Sequence, residues 1–208
     1  MHKFFGSILL LIFSLSGTAQ EKTPIKDPVF LKNKLIKQAK ETSSIIANFT
    51  QEKQVSFMNK PQLSEGVFYY QQANKMRWEQ NSPFDYVLLI NEGKVRIKDN
   101  GKEKKLTGAN KMMGKINTLM IGLINGDLLE SKEFITKYFT LGEFYVVELT
   151  PTNQRLKSVF NTIELTFSKK TTRLKELTFF ESSGDKSVMK FFNEKLNQPI
   201  KQSIFITL

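Results

Sequence analysis

The stretch Ser64-Glu-Gly-Val-Phe-Tyr-Tyr-Gln-Gln-Ala-Asn-Lys-Met-Arg-Trp-Glu-Gln-Asn-Ser-Pro83 decides the fold. It reads as two strands joined by a polar break, Gln71-Gln72-Ala73-Asn74, a hairpin signal even without the tight Asn-Gly form. Side chains alternate across a strand. Phe68 and Tyr70 therefore share one face of the first strand, and Met76 and Trp78 share one face of the second. The only Trp of the chain and two of its five Tyr lie here. Aromatics on a sheet face usually pack a core. The same face can also line a site for an apolar ligand, and the stretch alone leaves both readings open.

Upstream, Met1-His-Lys3 is a short basic segment, Phe4 to Leu15 is an apolar run, and Gly17-Thr18-Ala19 supplies small residues. Together they read as an export signal over residues 1–19, cleaved before Gln20. The run is shorter than the roughly 20 residues a membrane span needs. No Cys follows it, so a lipid-anchored product is not expected. The mature chain from Gln20 has the length of one domain with a real core. With no Cys in the chain, that core stabilises the fold without disulfides, and 18 Phe supply much of it. The net charge of +11 falls by one with the loss of Lys3. In an exported protein such a charge suits anionic lipid or an acidic partner. The lysines are scattered, so a solvated basic surface accounts for them equally well.

Asp27 can cap a helix that starts at Pro28. Phe30, Leu31, Leu35, Ile36, Ala39, Ser43, Ile46 and Ala47 recur at helical spacing, which predicts an amphipathic helix of about five turns. From Phe49 the period changes to two. Strands are expected over 49–57, in the opening hairpin, and over 86–90, 94–98 and 102–106. After a helical insertion they resume over 138–141, 144–150, 160–167, 174–180, 188–192 and 203–208, with a possible helical turn inside 151–158. The insertion, Asn110 to Ile124, carries Met112, Ile116, Leu119, Met120 and Leu123 at helical spacing. It also holds Gly114 and Gly122 and very few charges. Met adapts to irregular apolar contacts, and Gly costs a helix about 1 kcal/mol relative to Ala. Such a segment is either a movable cover or a helix packed permanently on the sheet. Roughly eleven short strands with these helices predict a mainly β fold, a strongly curved antiparallel sheet or half-open barrel covered by helices.

The only His is His2, inside the export segment, and Cys is absent. Ser-His-Asp and Cys-His catalysis, zinc sites of the usual ligand types and His- or Cys-ligated haem are therefore excluded in the mature chain. The phosphate-binding glycine motifs GxxxxGK[ST] and GxGxxG are also absent. A carboxylate-pair hydrolase is disfavoured because Asp27, Asp85, Asp99, Asp127 and Asp185 fall in turns or at loop edges, and Glu79 points away from Trp78. A polyanion-binding module, with bases stacked on the aromatic strands, is disfavoured by export.

The order of motifs resembles one family. Phe49-x-Gln51 follows the helix. Gly66-x-Phe68, an aromatic strand, Met76-Arg77-Trp78-Glu79, Pro83, an apolar strand and Glu92-Gly93-Lys94 come next. Then follow Leu149-x-Pro151, the Phe160–Phe167 strand, Gly184, Phe192-Asn193, Asn197, Ile200 and Phe205. This pattern resembles the periplasmic outer-membrane lipoprotein carriers of the LolA type and covers almost the whole mature chain. The resemblance implies that residues 20–208 form one carrier domain, a half-open antiparallel barrel lidded by helices. Its apolar cavity would take lipoprotein acyl chains from an inner-membrane ABC transporter and give them up at the outer membrane or its receptor. No cofactor, metal, nucleic acid or catalysis is implied, and a monomer is expected. The implied cavity wall draws on Phe68, Tyr70, Met76, Trp78, Val87 and Leu89, with Phe179 and Phe191 from later strands. The implied lid comprises Leu35 and Ile46 on the N-terminal helix, then Met112, Met113, Ile116, Leu119, Met120 and Leu123.

Two departures from the family pattern bear on mechanism. Family members often carry Arg-Pro before the Trp strand, the Arg holding the lid closed. Here Gln72-Ala73 stands in that place. Gln72 can donate a hydrogen bond without charge assistance, which implies a weaker latch or a different one. The family also usually continues past the last strand with a Pro-x-Gly segment, whereas this sequence stops at Leu208. That leaves room for a divergent carrier of another lipid.

Overall fold

The computed structural model describes residues 21–72, 74–105 and 119–208. The expected export segment, Ala73 and the expected lid residues Met112, Met113 and Ile116 lie outside them. Alternation of apolar and polar residues becomes a single antiparallel sheet. Its strands are β1 (Thr23–Pro24), β2 (Ser44–Gln54), β3 (Gln62–Gln71), β4 (Lys75–Ser82), β5 (Tyr86–Asn91), β6 (Lys94–Asp99), β7 (Lys102–Lys104), β8 (Phe134–Leu141), β9 (Phe144–Pro151), β10 (Phe160–Ser168), β11 (Leu174–Glu181) and β12 (Lys186–Leu196). The order across the sheet is β1-β8-β9-β10-β11-β12-β2-β3-β4-β5-β6-β7. Apart from the β1–β8 pairing, sequential hairpins build each half, and the β12–β2 pairing joins the halves. The sheet is curved and open, with β1 and β7 as its edges among the described residues. The expected half-open architecture is therefore what the chain adopts.

Helix α1 (Pro28–Lys40) starts as its sequence dictates. The Asp27 side chain accepts a hydrogen bond from Phe30 N at 2.9 Å, and Pro28 occupies the first turn. It ends seven residues short of the periodicity, which runs on to Ala47. The cause is the Thr42-Ser43-Ser44 run, whose hydroxyls and amides find other partners. Ser43 N donates to Asn197 Oδ1 at 2.8 Å, and Ser44 Oγ donates to the Gln198 carbonyl at 2.6 Å. The β-branched pair Ile45-Ile46 then enters β2, opposite Tyr70 and Tyr69. A short helix over Gln154–Lys157, capped by Asn153, confirms the expected turn in that loop.

The concave face holds the main core, which includes Leu31, Leu35, Ala47, Phe49, Phe68, Trp78, Leu165 and Leu177. The convex face carries a smaller cluster, Leu89, Ile200 and Phe205. Residues 203–208 do not form the expected last strand. They form a 3-10 turn over Gln202–Phe205 and its exit, which puts Phe205 at 0% exposure against the convex face. Arginines on the sheet bind this segment's carbonyls in place of a strand ladder. Arg77 Nη1 donates to the carbonyls of Thr207 (2.5 Å) and Ile204 (3.3 Å), and Arg96 Nη1 donates to the carbonyl of Ile206 at 2.8 Å. Arg77 is only 8% exposed, and Glu79 Oε2 at 2.6 Å balances its charge.

Gly66 sits at a register shift between β3 and β4. A Cβ there would lie 1.9 Å from the Glu79 carbonyl oxygen. The obstacle is backbone, so it cannot rotate away. Gly66→Ala is expected to cost about 3 kcal/mol, the upper end for overpacking, read as a lower midpoint in urea unfolding. An unchanged midpoint would show that the β3–β4 approach is slack.

Candidate functional site

Register assigns each strand residue to a face. Phe68 pairs with Ala47 and Trp78, Trp78 pairs with Leu88, and Leu88 pairs with Ile97. One apolar row thus crosses five strands on the concave side. A parallel row runs Ile45, Tyr70, Met76, Ile90 and Val95. Aromatic rings gather between the halves of the sheet. Phe49 and Trp78 have ring centroids 3.7 Å apart, and Phe191 lies edge-on to Trp78 at 6.4 Å.

Covering this face are α1 and a second helical piece, residues 119–124. Between cover and sheet two spaces remain. One, of about 110 Å³, lies under α1 against Leu35, Ala39, Ala47, Phe68, Leu123 and Phe191. The other, of about 400 Å³, lies against Met76, Trp78, Leu88, Phe160 and Phe179, with Tyr86 and Gln80 toward one end. Met120 lines both.

Of the expected wall residues, Phe68 and Phe191 line the smaller space, and Met76, Trp78 and Phe179 line the larger. Tyr70 is buried on the same face beside the cover. Val87 and Leu89 are corrections. Their neighbours Leu88 and Ile90 take the concave side, and Leu89 packs on the convex face with Phe205. Ile46 is also a correction. It lies in β2 rather than on a helix, and packs with the convex cluster. Leu35, Met120 and Leu123 do cover the concave face, with Leu119 buried in the same core.

The turn between β3 and β4 touches both parts of the cover. Gln72 Nε2 donates to the Lys40 carbonyl at the end of α1, at 3.1 Å. The Tyr70 hydroxyl donates to Asn125 Oδ1, just past the second helical piece, and Asn125 Nδ2 donates to Asn74 Oδ1 at 3.4 Å. Gly126 follows with φ +79°, and a Cβ there would meet Ala39 Cβ at 3.2 Å, so glycine lets this turn press on α1. Burial, with Asp127 nearby, raises the Tyr70 phenol above its ordinary range and keeps it a neutral donor. Burial pushes the Tyr86 phenol up to about 12. Among the described residues, no group of His, Cys, Asp and Glu could hold a metal ion.

Residues 40–207 match the family model described as outer membrane lipoprotein carrier protein LolA. Two outer-membrane lipoprotein carrier proteins of Coxiella burnetii are similar. The one from strain RSA 331 is 25% identical over 206 aligned positions, covering 96% of this chain and 90% of that protein. The one from strain CbuK_Q154 is 26% identical over 208, with the same coverage. Among solved structures, a LolA superfamily protein from Nitrosomonas europaea aligns with a TM-score of 0.41 at 12% identity, over 84% of this chain and 96% of that one. An uncharacterized conserved protein from Thermus thermophilus aligns at 0.49, also at 12% identity, over 88% and 94%.

Tyr70→Phe removes the hydrogen bond to Asn125 while leaving the ring in place. Amide exchange over residues 119–124 should then speed up by roughly 5-fold, the equivalent of one neutral hydrogen bond near 1 kcal/mol. Hydrogen-exchange mass spectrometry reads this, and unchanged protection would show that the bond does not hold the cover.

Proposed function

Since this chain belongs to the outer-membrane lipoprotein carrier family, LolA, we propose that it is a periplasmic carrier of lipoprotein acyl chains. In this reading residues 1–19 direct export and are removed. The mature protein, as a monomer, accepts cargo from an inner-membrane ABC transporter. It delivers that cargo to the outer membrane or a receptor there. No chemistry is performed on the cargo and no cofactor is needed.

The observation that carries this reading is the space left under the cover. Protein interiors pack as densely as organic crystals, with few voids larger than a water molecule. Here about 400 Å³ stays open beside Met76, Trp78 and Leu88. That falls within the range of about 300–1,000 Å³ typical of ligand clefts. Phe68, Tyr70, Met76, Trp78, Phe179 and Phe191 form the wall or its edge, and Leu35, Leu119, Met120 and Leu123 close it.

Release matters as much as capture. Each buried CH₂ contributes about 0.8 kcal/mol. Complete enclosure of several acyl chains would exceed the practical affinity ceiling of about −20 kcal/mol. A carrier therefore gains from partial enclosure under a cover that yields. Met120 can repack, Gly122 weakens its helix, and the contacts holding the cover to the β3–β4 turn are neutral hydrogen bonds. Each such bond is worth about 1 kcal/mol net, and none has the strength of a charge-assisted one. Gln72 serves as one latch and the Tyr70–Asn125–Asn74 chain as another. Loading energy enters at the transporter.

Protein purified from a Gram-negative envelope should carry lipid or lipoprotein adducts in native mass spectra, lost on delipidation. Met120→Glu puts a charge in the wall of both spaces. In a preparation that still unfolds cooperatively, it should reduce adduct occupancy severalfold. Undiminished adducts would contradict the placement of cargo beneath residues 119–124. Adducts of free lipid without polypeptide would favour a divergent lipid carrier.

A further inference from the structure

Helix α1 has a second face, turned away from the core. Leu31, Leu35 and Ile36 pack inward, while Val29, Phe30, Lys34, Lys37 and Lys40 are exposed. Val29 and Phe30 are 63% and 64% exposed, although both residue types are ordinarily buried. Phe30 and Lys34 stand about one helical turn apart and share a stripe. Beside that stripe lies the β10–β11 turn, which carries Lys169 and Lys170. Lys34 Nζ and Lys169 Nζ each sit 5.9 Å from the centroid of the Tyr145 ring, and Thr172 Oγ1 lies 3.4 Å from Gln38 Oε1. The β8–β9 turn reaches the same place. Lys169 N donates to the Glu143 carbonyl at 3.0 Å, and the neighbouring Phe144 is exposed. Lysines that look scattered in the sequence thus meet on the outside of the cover, on the same face as exposed apolar side chains.

The charge on this face is largely uncompensated. Among the described residues, Lys26, Lys32, Lys34, Lys40, Lys169 and Lys170 have no carboxylate partner. Lys37 Nζ lies 3.9 Å from Glu41 Oε1, with both side chains well exposed. Asp27 is committed to the helix cap, and Glu143 is the exposed acid of the β8–β9 turn. The basic residues of α1 are all Lys. Lysine is a compact, strongly hydrated charge on a flexible stem, which suits a diffuse anionic surface, whereas the Arg fork suits individual oxygens in fixed geometry. Arg77 and Arg96 make contacts of that directed kind on the convex face. The cover presents the other kind.

We propose that the outer face of α1 and the β10–β11 turn form a docking surface for an anionic lipid bilayer. The lysines supply an attraction that acts within a Debye length of the surface. Val29 and Phe30 enter the headgroup region, as the apolar side chains of an interfacial helix do. The lysine stems lie along the interface while their ammonium groups stay among the lipid phosphates. Few apolar side chains insert, so attachment is weak and reversible. The surface stands on charge and exposure and does not depend on what the cavity holds. On the carrier reading, it sets the cover against the bilayer at which cargo is exchanged.

The test is flotation of the delipidated full chain with vesicles of phosphatidylcholine alone or mixed equally with phosphatidylglycerol. Binding should be about tenfold stronger to the mixed vesicles, and should fade in molar salt, where the Debye length is about 3 Å. Lys34→Gln combined with Lys170→Gln should weaken it by about 25-fold, roughly fivefold for each charge removed. Phe30→Ser should weaken it by about tenfold. These side chains are exposed, so melting temperatures should stay close to the wild-type value. Phe57, 87% exposed at the far end of the strands, is the control, and Phe57→Ser should bind like the wild type. Equal binding to neutral and mixed vesicles, or a loss with Phe57→Ser equal to that with Phe30→Ser, would overturn the assignment. Capture of polyglutamate without binding to mixed vesicles would overturn the bilayer in favour of an acidic polypeptide. No vesicle binding, with lipid adducts still present in native mass spectra of the protein as purified, would overturn the docking surface and leave the carrier reading standing.

Discussion

The open sheet, twelve-stranded among the described residues, carries on its concave face an apolar surface that must be covered, and the main features of the fold answer to that constraint. The concave rows through Phe68, Trp78 and Leu88 expose far more apolar surface than one short helix can bury. Helix α1 covers part of it with Leu31, Leu35 and Ile36, and residues 119–124 cover more. Between the described parts of the cover and the sheet, spaces of about 110 and 400 Å³ remain. A fold stabilised by tight packing would close this gap. On the proposed carrier reading, this space is where an apolar guest would sit.

The β3–β4 hairpin is the junction of the whole arrangement. Its inward side chains, Phe68, Met76 and Trp78, belong to the cavity wall. Its turn reaches both pieces of the cover, through Gln72 to α1 and through Tyr70 and Asn74 to Asn125. Its outward residues hold the C-terminal segment, with Arg77 bound to the carbonyls of Ile204 and Thr207 and Tyr69 packed near Phe205. Outward residues fasten the back of the sheet firmly, with a buried, charge-balanced arginine. Inward and turn residues fasten the front with neutral hydrogen bonds. On the proposed carrier reading, that asymmetry would let the sheet keep its shape while its cover yields.

Much of this was legible in the sequence because alternation, turn residues and caps are local signals. The Asp27 cap, the Glu92-Gly93 and Asn100-Gly101 turns and the aromatic hairpin all stand where the residues imply. The failures have a common physical origin. Tyr86 to Ile90 is apolar at every position, so nothing local says which parity faces inward, and pairing with Trp78 decides for Leu88 over Leu89. The apolar stripe of α1 continues in spacing through Ile46, but side-chain competition at Thr42 to Ser44 ends the helix first. Ile204, Phe205 and Ile206 look like a strand because β-branched and aromatic residues favour one. Arginines distant in sequence take their carbonyls instead. The Tyr70–Asn125 contact joins residues 55 apart, a distance no local pattern spans.

Trp78 is the only tryptophan of the chain, and it stands in the cavity wall. Its fluorescence is therefore a reporter at the place that matters most. Delipidated protein should be titrated with a diacyl lipopeptide whose acyl chains carry bromine, a contact quencher, and with its unbrominated twin. If acyl chains lie against the concave face, the brominated lipopeptide quenches Trp78 emission saturably and the twin does not. If both bind equally and neither quenches, the chains lie elsewhere and the account is contradicted.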